Sequence, residues 1–261
     1  GILSVKGQMK KRYRKQYRRG RRKGVQKMGQ KAEFDRFAEN YREIHTKNIQ
    51  GISGVDSDYF GRYKVEIVKK EWGGVSGNHV KILDLGCGDG MNAVHFENYF
   101  SNMEYFGIDV SKDSIRQAEK LETQKIHFTC YNGTKIPYQN GFFDFVFIAC
   151  VLHHVPQEEH EGLLRECRRV LKEDGVVYIF EHNPCNPVTR KIVDQCVFDQ
   201  EAVLISKKTM CKILRRVGFE NIKTAYTIFF PRKGILNRLA GLETWLSWLP
   251  LGGQYYTAAK K

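Results

Sequence analysis

Val80-Lys81-Ile82-Leu83-Asp84-Leu85-Gly86-Cys87-Gly88-Asp89-Gly90 is a short apolar run that passes directly into a glycine-rich turn. The run has the length and content of a buried strand, and a helical stretch follows it from Met91. Glycines in such a turn let the backbone bend sharply and approach a ligand, while amides at the helix start are available to hydrogen-bond it. A glycine loop alone is weak evidence. Its specificity comes from Asp84, two residues before Gly86, and from Asp109 at the end of the next apolar run. A carboxylate at that second strand tip is placed to accept hydrogen bonds from two ribose hydroxyls. A dinucleotide site expects Gly or Ala three positions after the second glycine, and Met91 holds that place.

Outward from this turn, short apolar runs at 80–85, 105–108, 126–130, 143–149 and 176–180 alternate with helical stretches near 91–100, 112–121 and 158–171. Such alternation predicts crossover units and a parallel sheet covered on both faces. Further helices are predicted over 33–49, from Phe34, Phe37, Tyr41 and Ile44, and over 58–72. A helix over 206–217 ends at Gly218, a strand covers 219–230 with Ile222, Ala225 and Ile228, and a last strand covers 254–259. Between these strands Ile235, Leu236, Leu239, Leu242, Trp245, Leu246 and Leu249 recur at helical spacing. This insert is expected to pack onto its own domain; a membrane-surface helix and a dimer face are the alternatives.

Of 261 residues, 41% are hydrophobic and 12% aromatic, enough for a substantial core. The formal charge of +14 is concentrated in residues 1–31, with thirteen Lys and Arg and no acid; the remainder carries 30 basic and 29 acidic residues. That segment has no apolar periodicity and is expected to be a disordered basic tail. It can be read as a nucleic-acid or membrane arm with Tyr13 and Tyr17 as stacking faces, as a solvated tail, or as leader sequence ahead of a start at Met28. Any nucleic-acid contact is expected only through it. No apolar run is long enough to span a bilayer, and no secretory signal is evident, so a cytoplasmic protein is expected. Seven scattered cysteines without a C-x-x-C pair suggest reduced thiols, and neither Cys nor His shows metal-ligand spacing.

With these motifs in order over about 80–181, the chain resembles the class I S-adenosylmethionine-dependent methyltransferases, whose first motif is an acid-x-Gly-x-Gly-x-Gly turn. The resemblance implies an α/β fold: a doubly wound, seven-stranded, mostly parallel sheet with N-terminal helices and a helical insert before the last strand. Residues 32–261 would form the methyltransferase domain, with 32–74 as a helical cap and 231–252 as a lid. It also implies that S-adenosylmethionine is held by Asp84, Gly86, Cys87, Gly88 and Gly90 around its methionine part, by Asp109 at the ribose and by Val110 at the adenine. Asn132, Gly133 and Ala149 would complete the site, with Tyr59 and Lys64 near the methionine end.

In an open parallel sheet ligands bind beyond the carboxyl ends of the strands, so the acceptor-side candidates are His153, His154, Glu181 and His182. A histidine suits proton removal from a hydroxyl near neutral pH, and a carboxylate leaving a buried strand can orient it. Packing is the competing reading for the His pair. Asp144 is read as structural, and Pro184 and Pro187 as stopping a helix and stiffening the loop that follows Glu181. The stretch 181–199, ending at Asp199, resembles small-molecule methyltransferases. The expected reaction is O-methylation of a sugar, glycan or secondary-metabolite hydroxyl. Methylation of a quinone-type carbon, RNA methylation through the tail, and cofactor binding without turnover are the alternatives. The oligomeric state is left open.

Overall fold

The computed structural model describes residues 57–73, 79–196, 199, 202–230 and 241–261. The basic tail, the helix expected over 33–49 and the first ten residues of the insert lie outside them. Helix α1 (Ser57–Trp72) precedes β1 (Val80–Leu85), α2 (Met91–Tyr99), β2 (Met103–Asp109), α3 (Lys112–Ala118), β3 (Ile126–Cys130) and β4 (Phe143–Ala149). Then follow α4 (His160–Val170), β5 (Leu171–His182), α5 (Pro187–Gln195), α6 (Lys207–Val217), β6 (Glu220–Thr227), the single turn α7 (Glu243–Leu246) and β7 (Gln254–Lys260).

The seven strands form one sheet in the order β3-β2-β1-β4-β5-β7-β6. The β1–β2, β1–β4, β2–β3 and β4–β5 pairs are parallel, and β7 inserts antiparallel between β5 and β6. Central strands are apolar throughout because both faces are covered: Ile82, Leu83, Leu85, Phe145, Val146, Phe147 and Ile148 are all fully buried. One layer, with Leu163, Leu164, Met210 and Leu214, packs α4 and α6 on the sheet. The other packs α1 and α2 through Val65, Val68, Ala93 and Phe96. Asp144 is structural, as expected: it accepts the Lys81 amide and the Lys172 ammonium, each at 2.8 Å.

Three expectations need correction. Pro187 does not stop a helix but begins one: Asn186 caps α5 by accepting the amides of Val188 and Thr189 at 2.9 and 3.0 Å. Proline is favoured at the first helical position because that amide has no helical partner anyway. The strand expected over 219–230 stops at Thr227, where Ile228 turns to φ 61°. The described end of the insert holds only one helical turn, and Trp245 and Trp248 are 81% and 71% exposed. The two tryptophans face outward while Leu246 and Leu249 are half-buried, and Glu243 occupies the inward position, accepting the Tyr63 hydroxyl at 3.0 Å and the Phe229 amide at 3.2 Å. All seven cysteines are free, with Cys87, Cys167 and Cys196 buried. No helix among the described residues is long and apolar enough to cross a membrane.

The turn after β5 is clamped to the approach to β7. Asn183 donates to the carbonyls of Pro250 and Gly252 at 3.1 and 2.8 Å, and Asn186 donates to Leu251 at 2.6 Å. Replacing Asn186 by Ala removes both the cap and the clamp, and the expected loss is about 1 to 2 kcal/mol. Chemical denaturation of wild type and variant measures it; equal midpoints would show that neither contact contributes.

Candidate functional site

The carboxyl ends of β1, β2, β4 and β5 open on one edge of the sheet, as the register of four parallel pairs requires. Glycine is needed at the first turn for two separate reasons. Gly86, Gly88 and Gly90 have φ of 78°, 56° and 82°, in the left-handed region that other residues avoid. A Cβ on Gly86 would stand 2.4 Å from Val151, and one on Gly90 would stand 2.7 Å from Phe128. Over Gly88 it would meet nothing within 4 Å, so the top of the loop faces open space.

Two acids frame that space. Asp109 accepts the Gly88 amide at 2.9 Å and the Ser111 amide at 2.8 Å, which fixes its carboxylate at the strand tip against the glycine loop. Asp84 is almost fully buried; its Oδ2 accepts from Tyr105 at 2.6 Å and Asn92 at 3.0 Å. Its Oδ1 has no hydrogen-bond partner among the described residues. Burial pushes the Asp84 carboxyl up to about 6, against the lowering effect of the Tyr105 and Asn92 hydrogen bonds. A buried acceptor left without a donor is costly. Nothing in the spacing of Asn92 or Tyr105 marked them beforehand; they reach Asp84 only because α2 and β2 flank β1.

The remaining cofactor-side residues are distributed around this turn. Val110 follows Asp109, and a Cβ on Gly133 (φ 82°) would stand 3.3 Å from the Val110 side chain, which therefore packs over the Gly133 backbone. Asn132 is exposed, and its Oδ1 is committed to its own loop, accepting from the Thr134 amide and hydroxyl at 3.0 Å and from Lys135 at 3.1 Å. Cys87 is buried beneath the loop, and Ala149 ends β4. From α1, Lys64 reaches Cys150 Sγ at 3.5 Å, and the Tyr59 ring stacks on Tyr63 at 6.1 Å.

At the ends of β4 and β5 the four sequence candidates for the acceptor side converge, and others join them. His153 Nδ1 meets Glu181 Oε2 at 2.5 Å, and Glu181 Oε1 accepts the Leu152 amide at 2.8 Å. The rings of His154 and His182 lie 4.2 and 5.1 Å from that of His153. Asp199 Oδ1 stands 3.4 Å from His154 Nε2 and 3.6 Å from His153 Nε2. Burial opposes charge on His153, but the Glu181 carboxylate prevails and pushes the imidazole up to about 10. Burial, reinforced by charged His153, pushes His154 down to about 4. Among the described residues, His153, His154 and Asp199 also have the separations of a ligand set for a metal ion. Cys150, at φ 58°, was not expected in the site. Although burial opposes it, Lys64 and His182 push its thiol down to about 7, and Gln254 Nε2 approaches its sulfur at 3.7 Å. Gln254 comes from the last strand and reaches the site only because β7 lies beside β5.

Residues 83–179 match the family described as a methyltransferase domain. An uncharacterized protein of Methanocaldococcus jannaschii is 27% identical over 199 residues, 75% of this chain and 85% of that one. The chain spans 19%, 46% and 64% of three further curated relatives. Among solved structures, a Thermotoga maritima S-adenosylmethionine-dependent methyltransferase, described as a possible histamine N-methyltransferase, aligns with TM-score 0.61 at 18% identity, over 89% of this chain and 99% of that one. A Haemonchus contortus phosphoethanolamine N-methyltransferase in complex with S-adenosylmethionine aligns with TM-score 0.61 at 18% identity, over 92% and 61%.

The raised Asp84 carboxyl sets a sign for stability. A carboxyl that keeps its proton up to about 6 when folded, against 3.8 ordinarily, makes the folded chain bind more protons than the unfolded one in that window. Stability of the cofactor-free protein is therefore expected to fall as pH rises from about 4 to about 6, by about 1.4 kcal/mol per unit of displacement. Denaturation of wild type beside Asp84→Asn checks this. The variant should lack that component of the slope, and parallel slopes would refute it.

Proposed function

We propose that this chain, a class I S-adenosylmethionine-dependent methyltransferase, transfers its methyl group to the hydroxyl oxygen of a small acceptor such as a sugar, glycan or secondary metabolite. The observation that carries the reading is the histidine and carboxylate cluster at the strand ends, next to the glycine loop: the buried His153 and Glu181 with the partly exposed His154, His182 and Asp199. An amine acceptor is nucleophilic once neutral, whereas a hydroxyl must lose its proton as it reacts. Such a cluster has a use for the second kind of acceptor.

The residues present fit the cofactor. The unpartnered Asp84 Oδ1 would accept from its amino group, the open space over Gly88 would leave room for its bulk, and the Asp109 carboxylate would meet its ribose. Val110 and Gly133 would line the adenine, with the Asn132 amide nitrogen, rather than its committed oxygen, toward a ring nitrogen. Tyr59, Lys64 and Ala149 would close the methionine end, and Gly86, Cys87 and Gly90 shape the loop. When bound, the cofactor supplies an electrophilic methyl group on a sulfonium. The chain's own part is alignment and proton removal. Glu181 holds His153 and, through the Leu152 amide, the loop behind it; His182 borders the acceptor space and is assigned the hydroxyl proton.

Calorimetric titration with S-adenosylmethionine is expected to show binding that Asp109→Ala weakens about 10- to 100-fold, the loss of a charged hydrogen-bonding group. NADH is expected not to bind. In assays with a panel of hydroxylated acceptors, His182→Ala should lower kcat by about 100-fold or more while cofactor affinity holds. Turnover of amines alone, unaffected by that change, would exclude the hydroxyl reading.

A further inference from the structure

Two turns bring together two imidazoles and a carboxylate that lies 46 and 45 residues away from them in sequence. One ligand atom from each of His153, His154 and Asp199 lies within 4.8 Å of the others, and Asp199 Oδ1 stands 3.6 and 3.4 Å from the Nε2 atoms of His153 and His154. A tetrahedral zinc ion, with metal–nitrogen and metal–oxygen distances of about 2.0 to 2.2 Å, sets its donor atoms about 3.4 Å apart. The two nitrogen-to-oxygen separations are those of such an ion's ligand shell.

The support behind the imidazoles also fits. His153 turns Nδ1 to Glu181 at 2.5 Å, the carboxylate–histidine arrangement of metal sites, and a cation would take the place of the Nε2 proton that otherwise faces Asp199. The turn Leu152–His154 is held in place from three sides. His160 Nε2 donates to the carbonyls of Leu152 and Val155, each at 2.9 Å, the Leu152 amide donates to Glu181, and the Val203 amide donates to the His153 carbonyl at 2.9 Å. Asp199 and His154 remain partly exposed, with side chains 12% and 20% accessible, so the cluster can be reached from outside.

We infer that His153, His154 and Asp199 form a three-ligand site for a divalent cation of the zinc type, with Glu181 as the outer carboxylate on His153. Two imidazoles and one carboxylate favour zinc and its transition-metal neighbours over magnesium or calcium, which prefer oxygen alone. Three protein ligands and one open position are the pattern of a site that binds something further. On the hydroxyl-acceptor reading, that fourth ligand is the acceptor oxygen, whose proton the cation makes easier for His182 to remove. Cation binding itself does not depend on that reading.

The test uses the full chain, freed of any affinity tag and stripped with chelator, titrated with Co2+ and followed by visible absorption and calorimetry. One cation per chain is expected, with the bands of a four-coordinate nitrogen and oxygen site and no thiolate charge-transfer band. Zinc should displace it. Asp199→Asn and His154→Ala should each weaken binding at least about 10-fold, Glu181→Gln should weaken it about 10- to 100-fold, and Cys150→Ser should leave it unchanged. S-adenosylmethionine titration of each variant reports separately on the fold and on the cofactor reading. Cobalt affinity in Asp199→Asn and His154→Ala equal to wild type, a thiolate band lost in Cys150→Ser, or no stoichiometric cobalt in a chain that still binds S-adenosylmethionine would each overturn the inference. The last result would leave Asp199 as an ion-pair partner only.

Discussion

Glu181 is a carboxylate with no exposed surface, and its burial is the constraint around which the strand-end region is organised. An unpaired buried charge costs several kcal/mol, so the surrounding chain must supply partners. It does so with the Leu152 amide and the His153 imidazole, both from the segment that leaves β4. Satisfying one side chain therefore draws the β4 exit across the end of β5 and holds its histidines side by side. Although burial opposes ionisation, the charged His153 keeps the Glu181 carboxyl below its ordinary range.

The two halves of the site use opposite electrostatic settings. On the glycine-loop side Asp84 is pushed up by burial and keeps one oxygen without a donor, a state that a cationic ligand would relieve. On the acceptor side, burial is outweighed by hydrogen bonding to His153, and Asp199 is held well below the usual carboxylate range. The fold separates these environments by a single strand end: Gly86 touches Val151 so closely that no side chain fits between the first loop and the β4 exit. That contact brings the cofactor turn and the histidine turn to neighbouring positions.

Helix α1 and the last two strands complete the enclosure. Lys64 enters from α1 to Cys150, Tyr63 is tied to Glu243 beyond β6, and Gln254 at the start of β7 reaches the same cysteine. The clamp of Asn183 and Asn186 onto residues 250–252 keeps this side in register with β5. Elements distant in sequence thus share one short layer of polar contacts above the sheet.

What the sequence by itself determined is what local rules decide. The strand at Val80–Leu85 and the turn after it follow from an apolar run and from glycines in left-handed backbone, and the bounds of β1, β3 and β4 agree with the periodicity reading. That Asp84, Asp109, His153, His154, Glu181 and His182 lie at or near strand ends on one edge of the sheet was legible, because each follows or closes an apolar run. Only the tertiary structure decided the pairing. Asp199 faces the histidines, Asn92 and Tyr105 face Asp84, and Cys150 meets Lys64 and Gln254 through contacts between elements, which leave no periodic trace in either partner. Pro187 and the tryptophans of the insert were misread for the same reason. Whether a proline ends or begins a helix, and whether an apolar stripe faces inward, depends on Asn186 and Glu243 finding partners from other parts of the chain.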